Sequence, residues 1–211
     1  MIQRIRYEGK EYNLQFHSDL IGRIASEKDT FFEEWLLTPL KQKVKSFDFV
    51  VDIGANIGNH AFFFKEVCQA KKVVCFEPHP DNFPILQENC PTCENHSVGL
   101  SSENTEGFLE LVESISHNSG TSRLGSSGHP IEIKTLDSYN FKNVTFIKID
   151  VEGYELEVLK GAKKTIEESY PDILVETHSG IGIEDVQALL PNKYSYEKVS
   201  FETHYLFTVN E

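Results

Sequence analysis

Apolar runs recur along this chain, and each stops at a carboxylate. Val50-Val51 leads to Asp52, Val73-Val74-Cys75-Phe76 to Glu77, Phe146-Ile147 and Ile149 to Asp150, and Ile173-Leu174-Val175 to Glu176. Near-continuous apolar runs of this length belong to strands buried on both faces, as in a parallel sheet. Helical patterns alternate with them. Ala61 to Phe64 opens one helix, Asp81 caps a second through Ile85-Leu86, Leu156, Leu159 and Ile166 mark a third, and residues 184–190 a fourth. The alternation predicts an α/β fold, a mostly parallel sheet in three layers.

The ends of the chain depart from this rhythm. Residues 2–16 alternate weakly around Glu8-Gly9-Lys10, which predicts a hairpin at the edge of the fold. Asp29 is an N-cap signal for a helix over residues 30–37 that Pro39 ends or kinks, with Phe31, Phe32 and Trp35 assigned to core packing. Residues 194–200 and 205–210 are joined by too few residues for a crossover and must form an antiparallel hairpin. In mid-chain, residues 95–100 read as a short third strand and its turn. Residues 107–112 and 131–134 follow with no helix between them, most simply an antiparallel pair. The intervening residues 114–130 are rich in Ser and Gly, with His117, Asn118, Arg123 and His129 embedded. A loop of that length is either functional or disordered, and it is the first place to expect acceptor binding. One domain is expected over residues 1–211: a hairpin-and-helix cap over 1–46, and a core over 47–211 with an insertion at 113–131.

Composition narrows the function. A net charge of −13 over 211 residues, with Lys and Arg scattered, argues against a nucleic-acid backbone as partner. No run approaches the length of a membrane span and no secretory leader is visible, so a soluble, cytoplasmic protein is expected. Cys90 and Cys93 have metal-knuckle spacing, but Cys68 and Cys75 fall on a helix and a buried strand, and all four cysteines are read as reduced and structural.

The most informative stretch is Val51-Asp52-Ile53-Gly54-Ala55-Asn56-Ile57-Gly58-Asn59-His60. It reads as a buried strand, a tight loop and the first turn of a helix, with glycines where the backbone needs positive φ or close approach to a ligand. Asn56 and Asn59 stand where a dinucleotide fingerprint has glycines, which places a nicotinamide dehydrogenase last among the alternatives. A carboxylate beside the loop repels phosphate and attracts an ammonium group, which suits S-adenosylmethionine. Glu77, at the tip of the next strand and 19 residues after Gly58, is placed to accept both ribose hydroxyls.

Three segments resemble the FkbM-type S-adenosylmethionine-dependent methyltransferases: the loop above, Phe76-Glu77-Pro78 with Asn82-Phe83, and Ile147-Lys148-Ile149-Asp150-Val151-Glu152-Gly153-Tyr154-Glu155 with Leu159-Lys160-Gly161-Ala162. Thr135-Leu136-Asp137 and Val98-Gly99-Leu100 also look like the family's pattern. The resemblance implies a Rossmann-like class I methyltransferase fold and transfer of a methyl group to oxygen, often on a sugar, glycolipid or polyketide hydroxyl. It implies that Gly54, Asn56 and Gly58 line the methionine part, with Ala55, His60 and Pro78 in the same loops. Glu77 then holds the ribose, Val98, Gly99 and Leu100 lie by the adenine, and Asp52 and Asp150 face the amino group and the reaction centre.

Asp150, Glu152 and His178, all at C-terminal strand ends, are the candidates to take the acceptor's proton. His178 is otherwise a surface or hydrogen-bonded loop histidine. Lys148 is expected to pair internally with Asp150 or Glu152. The acid cluster could hold Mg²⁺ through oxygen ligands, but a divalent metal is not the favoured reading. Two other functions stay open: a non-catalytic S-adenosylmethionine-binding module, and an RNA methyltransferase, which would need a basic face.

Overall fold

The structure, a computed structural model, describes residues 1–17, 20–111, 123–178, 180–200 and 203–210. Its centre is a seven-stranded sheet in the order β12-β13-β11-β10-β3-β4-β5. The apolar runs supply β3 (Phe49–Ile53), β4 (Lys72–Phe76), β10 (Phe146–Ile149) and β11 (Asp172–Glu176), which with β5 (Glu94–His96) are parallel. The C-terminal hairpin, β12 (Tyr194–Lys198) and β13 (His204–Val209), adds two antiparallel strands beside β11.

Register decides which side chains share a face. Asp52 on β3 is level with Cys75 on β4 and Lys148 on β10. With Val50, Val73 and Phe146 they face the helices and the N-terminal cap, while Val51, Ile53, Val74, Ile147 and Ile149 face the core under α5 (Glu155–Gly161), α6 (Lys163–Ser169) and α7 (Ile183–Leu189). The chain leaves β3 toward β4 and β5, then crosses back to β10 on its other side. This strand-order switch opens a crevice at the C-terminal ends of β3 and β10, where ligands bind in open α/β sheets.

Several expectations need correction. The third strand divides: β5 stays in the central sheet, while β6 (Gly99–Leu100) joins a second sheet ordered β6-β9-β7-β8. In that sheet β7 (Thr105–Glu110) and β9 (His129–Lys134) form the expected antiparallel pair, but β8 (Arg123–Gly125) adds an edge strand, and β9 begins inside the stretch read as loop. Of the loop over residues 114–130 where acceptor binding is expected, residues 114–122 lie outside the described residues.

The N-terminal hairpin forms as expected, β1 (Ile2–Tyr7) with β2 (Lys10–Gln15), and is followed by an unforeseen helix, α1 (Leu20–Lys28). The second helix, α2 (Glu34–Lys43), starts later than predicted and runs through Pro39, which costs it one backbone donor but does not end it. Phe31 is core as expected, whereas Phe32 is half-buried and Trp35 is exposed. The third helix is a single α-turn, α3 (Asn59–Phe62), that widens into a π-turn at Phe63–Val67. Asp81 precedes α4 (Asn82–Asn89), yet its side chain makes no capping bond.

The cap is fastened to the core by amides. Asn89 accepts from the Gln15 N–H and donates to the carbonyls of Gln15 and Ile57. Asn59 likewise brackets Phe32, accepting from its N–H and donating to its carbonyl. No described helix is long and apolar enough to cross a membrane.

Candidate active site

A cavity of about 240 Å³ opens in the crevice. One end is apolar, lined by Ile53, Phe76, Val98, Gly99 and Leu100; the other is acidic, lined by Glu33, Asp150, Glu152 and Glu176. Ile21 and Phe32 of the cap form part of its wall. A recess of about 60 Å³ continues it toward Ala55, Asn59, His60 and Lys148.

The loop after β3 could not be built from other residues. Gly54 has φ 77°, and a Cβ there would lie 1.7 Å from the Asp150 carbonyl oxygen. Asn56 follows with φ 51°, a left-handed conformation Asn tolerates better than most side chains. The turn aims the Asn56 N–H at Glu77, whose Oε2 accepts it at 2.7 Å while Oε1 accepts the His79 N–H at 2.8 Å. Burial nonetheless pushes the Glu77 carboxyl up to about 7, because those two bonds only partly offset desolvation. Each carboxylate oxygen keeps a lone pair for a further donor. Gly58 has a different task, since a Cβ there would lie 2.9 Å from Cys90 Sγ and from Leu86 Cδ1. Cys90 thus sits where the loop packs on α4, its Sγ 3.6 Å from the Gly58 carbonyl, and all four cysteines are free.

Beneath the loop lies a buried ion triad. Lys148 Nζ is 3.2 Å from Asp52 Oδ1 and 3.3 Å from Asp150 Oδ2, and it donates to the Gly54 carbonyl at 2.9 Å. Burial alone would lower the lysine's pKa; the two carboxylates outweigh it and raise it. Asp150 is held below the ordinary carboxylate range: burial opposes this, and Lys148, His178 and His60 outweigh burial.

Toward β11 and β13 the carboxylates alternate with imidazoles. His178 donates Nδ1–H to Glu155 Oε1 at 2.9 Å, and its Nε2 lies 3.2 Å from Glu152 Oε2 and 3.9 Å from Glu176 Oε1. The bond to Glu155 is the largest reason the ring is pushed up to about 9. Glu152 is pushed up to about 7, chiefly by burial and further by Asp150, Glu176 and Glu155, against the pull of His178. It sits at φ 54°, followed by Gly153 at φ 103°, so the chain turns left-handed to bring this carboxylate into the cavity wall. Glu176 Oε2 is 3.3 Å from His204 Nε2, and Glu33 Oε2 is 3.1 Å from His60 Nε2.

Of the residues singled out in the sequence, Gly54, Asn56, Glu77, Pro78, Val98, Gly99, Leu100, Asp150 and Glu152 line the cavity, and Ala55 and His60 line its recess. Asp52, Gly58 and His178 line neither; they stand one layer behind. Lys148 pairs with Asp150 as expected and with Asp52, while Glu152 pairs with His178 instead. Sequence reasoning did not place Ile21, Glu33 or Tyr154 at the wall, nor Glu155 behind it. Only Glu155 carried a signal, as the last residue of the acid-rich segment after β10. Among the described residues, Asp150, Glu176 and His178 are the one trio of metal-ligating types, with atoms within 4.8 Å of one another.

The chain is similar to known methyltransferases. The family described as Methyltransferase FkbM domain matches residues 52–198. The hexuronic acid methyltransferase AglP of Haloferax volcanii is 32% identical over 190 residues, covering 85% of this chain and 76% of its own. The methyltransferase sdnD of Sordaria araneosa is 26% identical over 187 residues, covering 69% and 72%. Among solved structures, an FkbM methyltransferase from Methylobacillus flagellatus superposes with a TM-score of 0.57 at 22% identity over 76% of this chain, which spans only 43% of that protein. A putative methyltransferase, yhhF of Escherichia coli, gives 0.55 at 13% identity over 100% of this chain and 99% of its own. At these identities the structural likenesses speak for the fold alone.

Proposed function

This chain belongs to the FkbM methyltransferase family, and from that premise we propose that it is an S-adenosylmethionine-dependent O-methyltransferase whose acceptor is a hydroxyl of a carbohydrate, glycolipid or other small molecule. The observation that carries the reading is a single cavity lined by apolar residues from β3, β4 and the turn after β5 and by carboxylates from the β10 and β11 side, with Glu77 fixed in its wall by two backbone N–H groups. The identity with a hexuronic acid methyltransferase supports the acceptor class. In this reading residues 1–211 are one methyltransferase domain, with 1–46 as cap, 47–211 as core and 113–131 as an insertion.

The residues present fit the cofactor. Val98, Gly99, Leu100 and Phe76 offer an apolar wall to an adenine, and Glu77 offers carboxylate oxygens to the ribose hydroxyls. Asn56 Oδ1, buried and without a partner, together with Asp150, suits the ammonium end. When bound, S-adenosylmethionine supplies an electrophilic methyl carbon on a sulfonium.

The chain's own residues then do two things. The walls hold the acceptor oxygen in line with that carbon, and such positioning is worth effective molarities of about 10⁵–10⁸ M. Glu152 accepts the hydroxyl proton, a step worth about 10²–10⁴-fold. It lines the cavity and its pKa is drawn up to about 7, whereas Asp150 is held low and His178 stands behind Glu152 as the group that orients it. Because His178 is pushed up to about 9, it is an imidazolium near neutral pH, paired with Glu155 and Glu152.

Transfer of labelled methyl from S-adenosylmethionine into a fractionated extract of the source organism tests the reading. Label in a polar fraction that resists protease and nuclease supports it. Label in RNA replaces the acceptor class, and retention of the cofactor with no label at all favours a binding module.

A further inference from the structure

Across the sheet, the proposed cofactor contacts run from the β5 side to β10, through Leu100, Glu77, the loop after β3 and Asp150. The strand order continues beyond β10 to β11 and β13, whose ends bring Glu176, His178 and His204 to the acidic end of the cavity. An acceptor has to approach on this side.

Trp35 stands here. The face of α2 that meets the core is made by Leu36, Leu37 and Leu40, so the Trp35 ring lies off that face and is 39% exposed. Two neighbours tie it to the cavity. Glu33, two residues earlier, lines the wall. The Trp35 ring also meets the His204 ring edge to face at 5.6 Å, and His204 is immobilised by Ser200 at Nδ1 and by Glu176 at Nε2, Glu176 being another wall residue. His204 is itself almost fully buried, with both nitrogens engaged, so it acts as a strut between an exposed indole and a cavity carboxylate.

We propose that Trp35, Glu33 and Glu176 form an acceptor subsite for a neutral pyranose ring, the indole covering the ring's C–H face and the two carboxylates accepting from its hydroxyls. The proposal rests on the methyl-transfer reading of the same cavity. A flat apolar surface beside fixed acceptors matches a sugar, which is apolar on its ring face and a donor at its rim. Charge sets the preference within the class. Glu33, Glu77, Asp150, Glu152 and Glu176 line the cavity and, among the described residues, no Lys, Arg or His lines it, so a neutral ring is favoured over a uronate.

Trp35 is the chain's single tryptophan and therefore its own reporter. Protein saturated with S-adenosylhomocysteine is titrated with a panel of methyl pyranosides and with methyl glucuronide while tryptophan emission is followed. A saturable change with at least one neutral pyranoside, at lower concentration than with the glucuronide, is expected. No saturable change with any neutral pyranoside overturns the subsite, and tighter binding of the glucuronide overturns its charge preference. Trp35→Ala should raise KM for a pyranoside acceptor about tenfold, the equivalent of about 1.4 kcal/mol, with kcat and cofactor affinity unchanged; Trp35→Phe, which preserves an aromatic face, should recover most of the loss. An unchanged KM in Trp35→Ala overturns the proposal. Methyl transfer to a pyranoside with silent tryptophan emission removes the subsite and leaves the methyl-transfer reading standing. Saturable emission with no transfer to any acceptor does the reverse.

Discussion

His178 and Glu155 are joined by a 2.9 Å hydrogen bond from Nδ1 to Oε1, and Glu155 has no exposure to solvent. Glu155 also accepts from the Gly153 N–H at 3.0 Å, so one carboxylate fixes both the imidazole and the left-handed turn that presents Glu152. With Nδ1 held by Glu155, the other ring nitrogen is turned toward Glu152, 3.2 Å from its Oε2.

The pair makes stability depend on pH. The folded-state pKa of His178 lies above its ordinary value, so the stabilisation is complete below about pH 6.5 and is lost as pH rises through about 9. Glu155→Gln weakens the bond and should flatten that decline. Denaturant midpoints compared at about pH 6 and about pH 10 check it, and an equal decline in wild type and variant would remove Glu155 as the cause.

Glu152 sets the acidic limb of activity. Since its carboxyl is drawn up to about 7, kcat/KM should rise with pH through that region as the base form appears. Glu152→Gln should lose about 10²–10⁴-fold in kcat and keep its cofactor affinity. A loss confined to cofactor binding would move Glu152 out of the proton-transfer role.

Glu77→Ala should weaken S-adenosylmethionine binding by about 10–100-fold, the worth of hydrogen bonds to a charged group. Equilibrium dialysis with labelled cofactor measures it. Unchanged affinity would end the ribose assignment.

Lys148→Met leaves Asp52 and Asp150 facing one another without a cation. Breaking a buried pair in this way costs about 3–5 kcal/mol, which should appear as a lowered urea midpoint. A variant as stable as wild type would mean that the two carboxylates share a proton in its place.

Prolonged treatment with EDTA should leave methyl transfer intact. Loss of activity restored by Mg²⁺ would instead make Asp150, Glu176 and His178 the place to look for the ion, their atoms lying within 4.8 Å of one another.

Much of this was legible in the sequence, for identifiable reasons. The parallel strands announce themselves because burial on both faces leaves little room for polar residues before the sheet's C-terminal edge, where Asp52, Glu77, Asp150 and Glu176 appear; Lys148 is the exception, admitted by its two carboxylate partners. Gly54 is legible because no other residue tolerates the Asp150 carbonyl so close. The cap was harder. α1 is short, with its apolar stripe reduced to Ile21, Ile24 and Ala25, and whether Glu33 reaches a cavity or water depends on how the cap docks on the sheet. The hand-over from β5 to β6 was hidden because Val98, Gly99 and Leu100 suit either sheet. Trp35 was assigned to the core on residue type, and its exposure follows from the three leucines that claim the inner face of α2.

The ion triad has a consequence for how the chain comes to its native state. Asp52 and Lys148 are level in adjacent strands, yet the bond from Lys148 to the Gly54 carbonyl spans 94 residues of sequence. While the polypeptide is being synthesised, β3 and β4 can pair early, but Asp52 has no cation to meet until β10 emerges. Closing so long a loop delays formation, and domains of this size expose apolar surface while they wait. The growing chain therefore carries an unneutralised acid on a nascent strand edge, a charge that discourages that edge from pairing with a neighbouring molecule.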